Sequence, residues 1–220
     1  MPTTRSYGDA CPIGRSLDVV GERWALLVVR ELLLGPRRFS DVRRGLPGAS
    51  SNLIADRLRE LEGRDVIRRR KLPPPAGSWV YELTQRGRRL EPVLLALGEW
   101  GADVPRPPEP FALSATSVLL YLRTAGHPDA GAPPATYRIE FRERSVDGKP
   151  GGRNESVEIW TVRTRDGRIH VEAGGPPHAD AGISTSPRAF NDLLADPSTL
   201  DAFEITGDRD ALRRLVRVIP

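Results

Sequence analysis

A single cysteine, Cys11, stands in the chain, so no disulfide can form within it. Histidine is scarce too. His127, His170 and His178 are scattered, with no carboxylate or cysteine at ligand spacing, which argues against a metal site. The first residues, MPTTRSYGDACP, lack the apolar stretch of a secretory signal. The longest apolar run, WALLVVRELLLG, is broken by Arg30 and Glu31 and is too short to cross a bilayer. There is no Gly-rich phosphate loop, no Gly-x-Ser-x-Gly turn and no paired-carboxylate motif. Internal repeats and low-complexity tracts are missing as well. These absences point to a cytoplasmic, non-enzymatic protein with no cofactor and no membrane partner.

What is present is charge of one sign in one place. Residues 1–104 hold 18 Lys and Arg against 13 Asp and Glu, a net of +5, whereas residues 105–220 hold 15 against 16, a net of −1. A basic half beside a near-neutral half suggests a polyanion partner for the first alone. Hydrophobic content of 39% is enough for a packed core.

Periodicity divides the first half into helices followed by a hairpin. Residues 12–34 read as two helices hinged near Gly21, the second apolar nearly all round. Gly35-Pro36 ends it. SDVRRGL forms a short helix, and SSNLIADRLRELEG a longer one capped by Ser50 or Ser51. Ile54, Leu58 and Leu61 make its inward face, leaving Asn52, Ala55, Asp56 and Arg59 outward. Two short helices joined by so tight a turn predict a helix-turn-helix. Val66–Leu72 and Trp79–Leu83 then read as a hairpin closed by PPPAGS, with Trp79, Tyr81 and Leu83 on one face. Thr84 caps a helix running to about Asp103, whose stripe Leu90, Val93, Leu94, Leu97 and Trp100 needs a partner.

VPRPPEP, residues 104–110, is a semi-rigid linker between a domain at 1–103 and a second at 111–220. The second reads as helix FALSATSVLLYLRTAG, then strands TYRIEF, SVEIWTV and RIHVEAG joined as an antiparallel meander by DGKPGG and RDG. DAGISTS is a weaker strand. Ser186-Pro187 caps the helix RAFNDLLAD, AFEITGD is a last short strand, and Asp208 caps RDALRRLVRVI.

The stretches CPIGRSLDVVGERWALLVVRELLLGPRRFSDVRRGLPG, LRELEGRDVIRRR and PPPAGSWVYELTQRGRRLEPVLLALGEWG resemble the HxlR-type winged helix-turn-helix regulators. The resemblance implies a homodimeric, DNA-binding transcription regulator, with helices at both ends of the winged unit making the dimer. GRDVI departs from the family's acidic-Asp-Gly turn before the wing, and SSNLIAD offers few long polar side chains. In the second half, IWTVRTRDGRIHVEAGG and DAGISTSPRAFNDLLADPSTLDAFEITGDRDALRRLVRVI resemble the sterol carrier protein-like fold, which implies an apolar pocket between sheet and helices. The expected fold class is therefore α+β: a winged helix-turn-helix domain plus a sterol carrier-like domain with an antiparallel sheet.

Cations that neutralise phosphates release counterions from duplex DNA, and a wing places its cations beside the groove that the helix enters. Arg68, Arg70 and Lys71 are the expected phosphate contacts, with Arg69 alternating to the other side. Arg37, Arg38, Arg43 and Arg44 would hold the flanking backbone. Ser50, Ser51, Asn52, Asp56 and Arg59 are the groove candidates; Arg59 suits guanine and Asn52 adenine. Asp56 can instead pair with Arg59. The expected dimer interface is Trp24 with Leu90, Val93, Leu94, Leu97 and Trp100, and a two-fold dimer predicts a palindromic operator. The expected pocket for an apolar effector is lined by Leu119, Leu122, Tyr137, Ile139, Phe141, Ile159, Trp160, Phe190 and Leu194. Two alternatives stand beside this ligand-responsive regulator. In one, Cys11, at a helix N-terminus near Arg15, is a thiol sensor. In the other, the chain is a lipid or small-molecule carrier with a vestigial DNA-binding domain.

Overall fold

The computed structural model describes residues 6–74, 76–109, 111–144 and 155–219, so the turn expected at 147–152 lies outside the described residues. The chain divides into two compact units, Met1–Ala112 and Leu113–Pro220, so the proline-rich stretch at 104–110 belongs to the first.

In the first unit α1 (Pro12–Val20) and α2 (Ala25–Leu32) are separated at Gly21–Trp24. Trp24 itself takes a left-handed backbone, φ 77°, an unusual conformation for a bulky residue. It ends the helical path and starts α2 four residues later than Gly21. The α2 helix is buried through Val28, Val29 and Leu32, while Leu27 stays 37% exposed. The next two helices are α3 (Phe39–Gly45) and α4 (Ser51–Gly63). Ser50 caps α4: its hydroxyl accepts the Leu53 N–H at 3.3 Å. Ile54, Leu58 and Leu61 are at most 1% exposed, and each contributes about 1.5–3 kcal/mol of apolar burial. They pack with Val28, Val42 and Leu46 in one core.

The wing is β1 (Ile67–Lys71) paired antiparallel with β2 (Trp79–Leu83). It is pinned at its base by Thr84. That hydroxyl donates to the Asp65 carbonyl at 2.6 Å and accepts the Gly87 N–H at 3.0 Å, capping α5 (Gln85–Arg88). Gly87 must be glycine, because a Cβ there would overlap the Val66 carbonyl oxygen. Asp65 enters the wing at φ 57°, so an aspartate holds a left-handed position that glycine would fill without steric cost. The expected single helix from Thr84 is broken: α5 ends at Arg88, α6 runs Glu91–Trp100, and one 3-10 turn follows at Gly101–Asp103. Pro92 lies in the first turn of α6, where its missing N–H costs nothing.

The second unit begins with α7 (Ala115–Ala125), capped by Ser114. The strands β3 (Ala135–Arg144), β4 (Glu155–Arg165) and β5 (Arg168–Ala173) form an antiparallel meander. The fourth strand, β6 (Ala181–Thr185), pairs with β3 in parallel, and β7 (Ile205–Gly207) pairs antiparallel with β6, giving the order β5-β4-β3-β6-β7. The sheet is thus mixed rather than antiparallel throughout. Residues 174–180 carry the chain back to the starting end of β3, where the Thr136 N–H donates to the Asp180 carboxylate at 2.7 Å and the Asp180 N–H to the Thr136 carbonyl at 2.8 Å. The strand that follows must run with β3. The helices α8 (Pro187–Ala195) and α9 (Arg209–Val216) are capped by Ser186 and Asp208 side chains, as expected. Both pack on the face of β3 that carries Tyr137, Ile139 and Phe141: Phe190 of α8 meets Phe141 edge-on at 5.6 Å, and the Tyr137 hydroxyl donates to the Ala211 carbonyl of α9 at 3.2 Å.

Candidate nucleic-acid interface

The outward side of α4 presents what the pattern promised. Ser51, Asn52 and Arg59 are exposed, and Asp56 is half-buried. Arg59 and Asp56 form an exposed ion pair at 2.7 Å. Such a pair contributes little, about 0–1 kcal/mol, so Arg59 can leave it for a base or a phosphate at small cost. Ser50 spends its acceptor on the helix cap, whereas Ser51 receives Arg43 Nη1 at 3.4 Å, which draws an α3 cation to the start of α4. Arg38 and Arg43 are exposed, and Arg44 is half-buried with Asp41 at 3.6 Å.

Arg37 departs from expectation. It is only 7% exposed, and its backbone pairs with Tyr81 as an isolated bridge, its N–H donating to the Tyr81 carbonyl at 2.9 Å. The residue ties the loop before α3 to the wing, and its guanidinium is not available on the surface.

The wing arginines are organised by a residue the sequence reading passed over. Glu82 is 6% exposed and stands opposite Arg68 in the strand register. Its carboxylate takes Arg68 at 2.6 Å and Arg70 at 2.8 Å. Burial pushes the Glu82 carboxyl up, but the hydrogen bonds and charge of Arg70 and Arg68 outweigh it and hold the group below the ordinary glutamate value. Two cations thus share one anion, and both guanidiniums keep substantial exposure, 66% and 40%. Side chains alternate along a strand, so Lys71 falls with Arg69, not with Arg68 and Arg70 as expected. On that other face the Arg69 guanidinium lies 4.4 Å from the Trp79 ring and 6.0 Å from that of Tyr81. Trp79 is half exposed under this contact, while Val80, Glu82 and Leu83 are buried. Trp79 therefore carries a cation at the surface, whereas Tyr81 also packs partly against the core.

Of the expected dimer residues, Trp24, Leu90 and Leu94 pack partly against the core of their own unit. Trp24 is taken by that packing: its ring lies against Gly48 in the turn before α4, where a Cβ would stand 3.0 Å from the indole. Val93, Leu97 and Trp100 remain outward on α6, with 52%, 45% and 75% exposure. Cys11 is a free, exposed thiol at the N-cap of α1, and its N–H donates to Asp9 Oδ1 at 2.8 Å.

In the second unit Leu119, Leu122, Ile139, Phe141, Trp160, Phe190 and Leu194 are at most 3% exposed and belong to the buried interior between sheet and helices. Ile159 sits on the opposite face of β4 from Trp160 and is half-buried. Tyr137 alone of the nine lines a cavity of about 340 Å³, which lies between the 127–133 segment, the β4–β5 turn and the end of α9. Among the described residues no group of three or more His, Cys, Asp or Glu could hold a metal ion, and no helix is long and apolar enough to cross a membrane.

A short helix, a tight turn, a second helix that offers polar residues outward, and an arginine-bearing hairpin define a winged helix-turn-helix. Residues 19–107 match the HxlR-like helix-turn-helix family. The chain is 40% identical over 96 residues to an uncharacterized HTH-type transcriptional regulator, sll1512 of Synechocystis, covering 44% of this chain and 71% of that protein. It is 37% identical over 141 residues to the uncharacterized regulator MT3179 of Mycobacterium tuberculosis, covering 63% of this chain and 85% of that one. Among solved structures, the reduced form of the regulator YodB from Bacillus subtilis is 30% identical, with a TM-score of 0.39, over 46% of this chain and all of that one. This chain belongs to the HxlR-like helix-turn-helix family, and its class is that of DNA-binding transcription regulators.

Proposed function

We propose that the chain acts as a homodimer on duplex DNA, with the Ser51 end of α4 in the major groove and the wing beside it on the phosphates. The observation that carries the reading is the division of α4: Ile54, Leu58 and Leu61 are sealed in the core while Ser51, Asn52 and Arg59 face solvent, and Arg68 and Arg70 stay exposed on the hairpin that follows. Arg38, Arg43 and Lys71 add phosphate contacts. The second copy covers Val93, Leu97 and Trp100 of α6, and two-fold symmetry then sets two α4 helices about one DNA turn apart on a palindromic operator. The second unit receives a small-molecule signal. Its order of strand, Ser-Pro-capped helix, strand ending in Gly207-Asp208 and closing helix supports the likeness to the sterol carrier fold. The effector must bind two conformers of the dimer with different affinity to act at all.

Fluorescence anisotropy with a labelled duplex across a salt series tests the DNA reading. The slope of log affinity on log salt is about −0.9 per neutralised phosphate, and Arg59→Ala with Arg70→Ala should flatten it and weaken binding. A monomer in sedimentation whose DNA affinity ignores salt ends the reading. A second reading rests on Cys11, exposed at a helix N-terminus, as the site of an oxidative signal. Cys11→Ser then abolishes oxidant-induced DNA release. If the variant still releases DNA on oxidation, Cys11 is not the sensor.

A further inference from the structure

The 340 Å³ cavity of the second unit falls at the low end of small-molecule sites, roughly 300–1,000 Å³. Its walls are of two kinds. Tyr137, Leu215 and Val218, none more than 8% exposed, make an apolar floor. Arg165, Arg214 and Arg217 stand on its rim. Two carboxylates also line it: Asp166 lies 3.7 Å from Arg165, and Asp129, whose Oδ1 accepts the Gly131 N–H at 2.9 Å, keeps its negative charge, so cations exceed anions on the lining by one. The other two arginines are poorly neutralised. Arg214 reaches Asp208 only at 3.9 Å, and Arg217 makes no ion pair among the described residues. They sit three residues apart across the end of α9, on one side of the cavity.

We propose that this cavity binds a small organic acid, its apolar body against Tyr137, Leu215 and Val218 and its carboxylate held by Arg214 and Arg217. The guanidinium fork matches a carboxylate and remains charged at any physiological pH. A neutral apolar effector would make no charge-assisted bond with these two exposed cations, whereas a carboxylate makes one. The inference rests on the reading of the second unit as the signal-receiving part of a regulator, and it changes the expected effector from a neutral molecule to an anion. The volume suits a short chain or a single ring.

The full-length protein is titrated calorimetrically with hexanoate, octanoate, decanoate and 3-phenylpropanoate, and with the alcohol that corresponds to each. At least one acid binds once per chain with Kd below about 1 mM, and its alcohol binds at least about tenfold more weakly. Arg214→Gln with Arg217→Gln, both exposed positions, reduces acid affinity at least about tenfold and moves the unfolding midpoint by no more than about 2 °C. Ala132→Phe, at a half-buried lining position in a connecting segment, blocks the acid by filling the space. Binding of no acid, equal binding of acid and alcohol, or unchanged binding in both variants overturns the proposal. DNA affinity without acid is followed in parallel and is unchanged in both variants. A chain that binds DNA but no acid removes the site alone; one that binds acid but no DNA removes the regulator reading and leaves the site.

Discussion

A glutamate held between two arginines is found in both units. In the wing, Glu82 is clamped by Arg68 and Arg70; on the open face of the sheet, Glu140 is clamped by Arg138 at 2.7 Å and by Arg142. Both carboxyls are held below the ordinary glutamate value. For Glu140 the hydrogen bond from Arg138 is the main cause, and for Glu82 the arginines act against a larger burial effect. Each trio carries a net charge of +1, so the local chemistry does not distinguish them. The surroundings do. The wing trio follows α4 and is joined by Lys71 and Arg69 in a half with a net charge of +5, whereas the sheet trio meets Ser184, whose hydroxyl receives Arg142 Nε at 2.9 Å, in a half with a net charge of −1. In the reading proposed above, clustered arginine serves DNA in the wing and not on the sheet because the fold sets only the wing beside an outward helix.

The largest test of this contrast removes the frame that presents the wing. Gly87→Val drives a side chain into the Val66 carbonyl, and a loss of about 3 kcal/mol or more is expected in chemical denaturation, with DNA binding lost at the same time. Next, Arg68→Ala with Arg70→Ala lowers DNA affinity and reduces the salt slope by about two units, while Arg138→Ala with Arg142→Ala leaves both unchanged. Equal effects of the two pairs would erase the distinction between the units. A smaller change is expected from Glu82→Gln, which removes one negative charge from the wing. DNA binding tightens at low salt, and a pH-dependent part of the stability disappears. The folded-state pKa of Glu82 is depressed, so its contribution is full above the unfolded value, about 4.3, and fades as the pH falls through the folded value. Urea midpoints of wild type and variant should converge under acid. The smallest effect is at Asp65→Gly, which relieves a left-handed φ of 57°; stabilisation of less than about 1 kcal/mol is expected, against destabilisation by Asp65→Val.

Element types were legible because each rests on local rules. The i, i+4, i+7 spacing of Ile54, Leu58 and Leu61 declared the buried face of α4, and Ser50, Thr84, Ser186 and Asp208, all expected caps, cap helices in the structure. The winged class was legible from the order of those elements together with the family motif. Features that depend on pairing were not. Glu82 looked like an ordinary polar residue between Tyr81 and Leu83, and only the register places it across from Arg68. A count of two from Arg68 would have separated Lys71 from Arg70. The direction of β6 is invisible in its own five residues, since it is fixed by the return of the chain to Thr136. The cavity escaped because its lining comes from four separate stretches of chain, and only Tyr137 of the residues expected to line a pocket reaches it.

The sequence by itself determined which segments are helical or extended, which side of α4 is apolar and which half is basic, because propensity, capping and charge act over a few neighbouring residues. The tertiary structure alone decided that Arg37 is buried, that one carboxylate serves two wing arginines, and that a cavity of the second unit is bordered by Arg214 and Arg217. Those outcomes depend on residues distant in the chain being brought within a few ångströms of one another, and no local pattern encodes that distance.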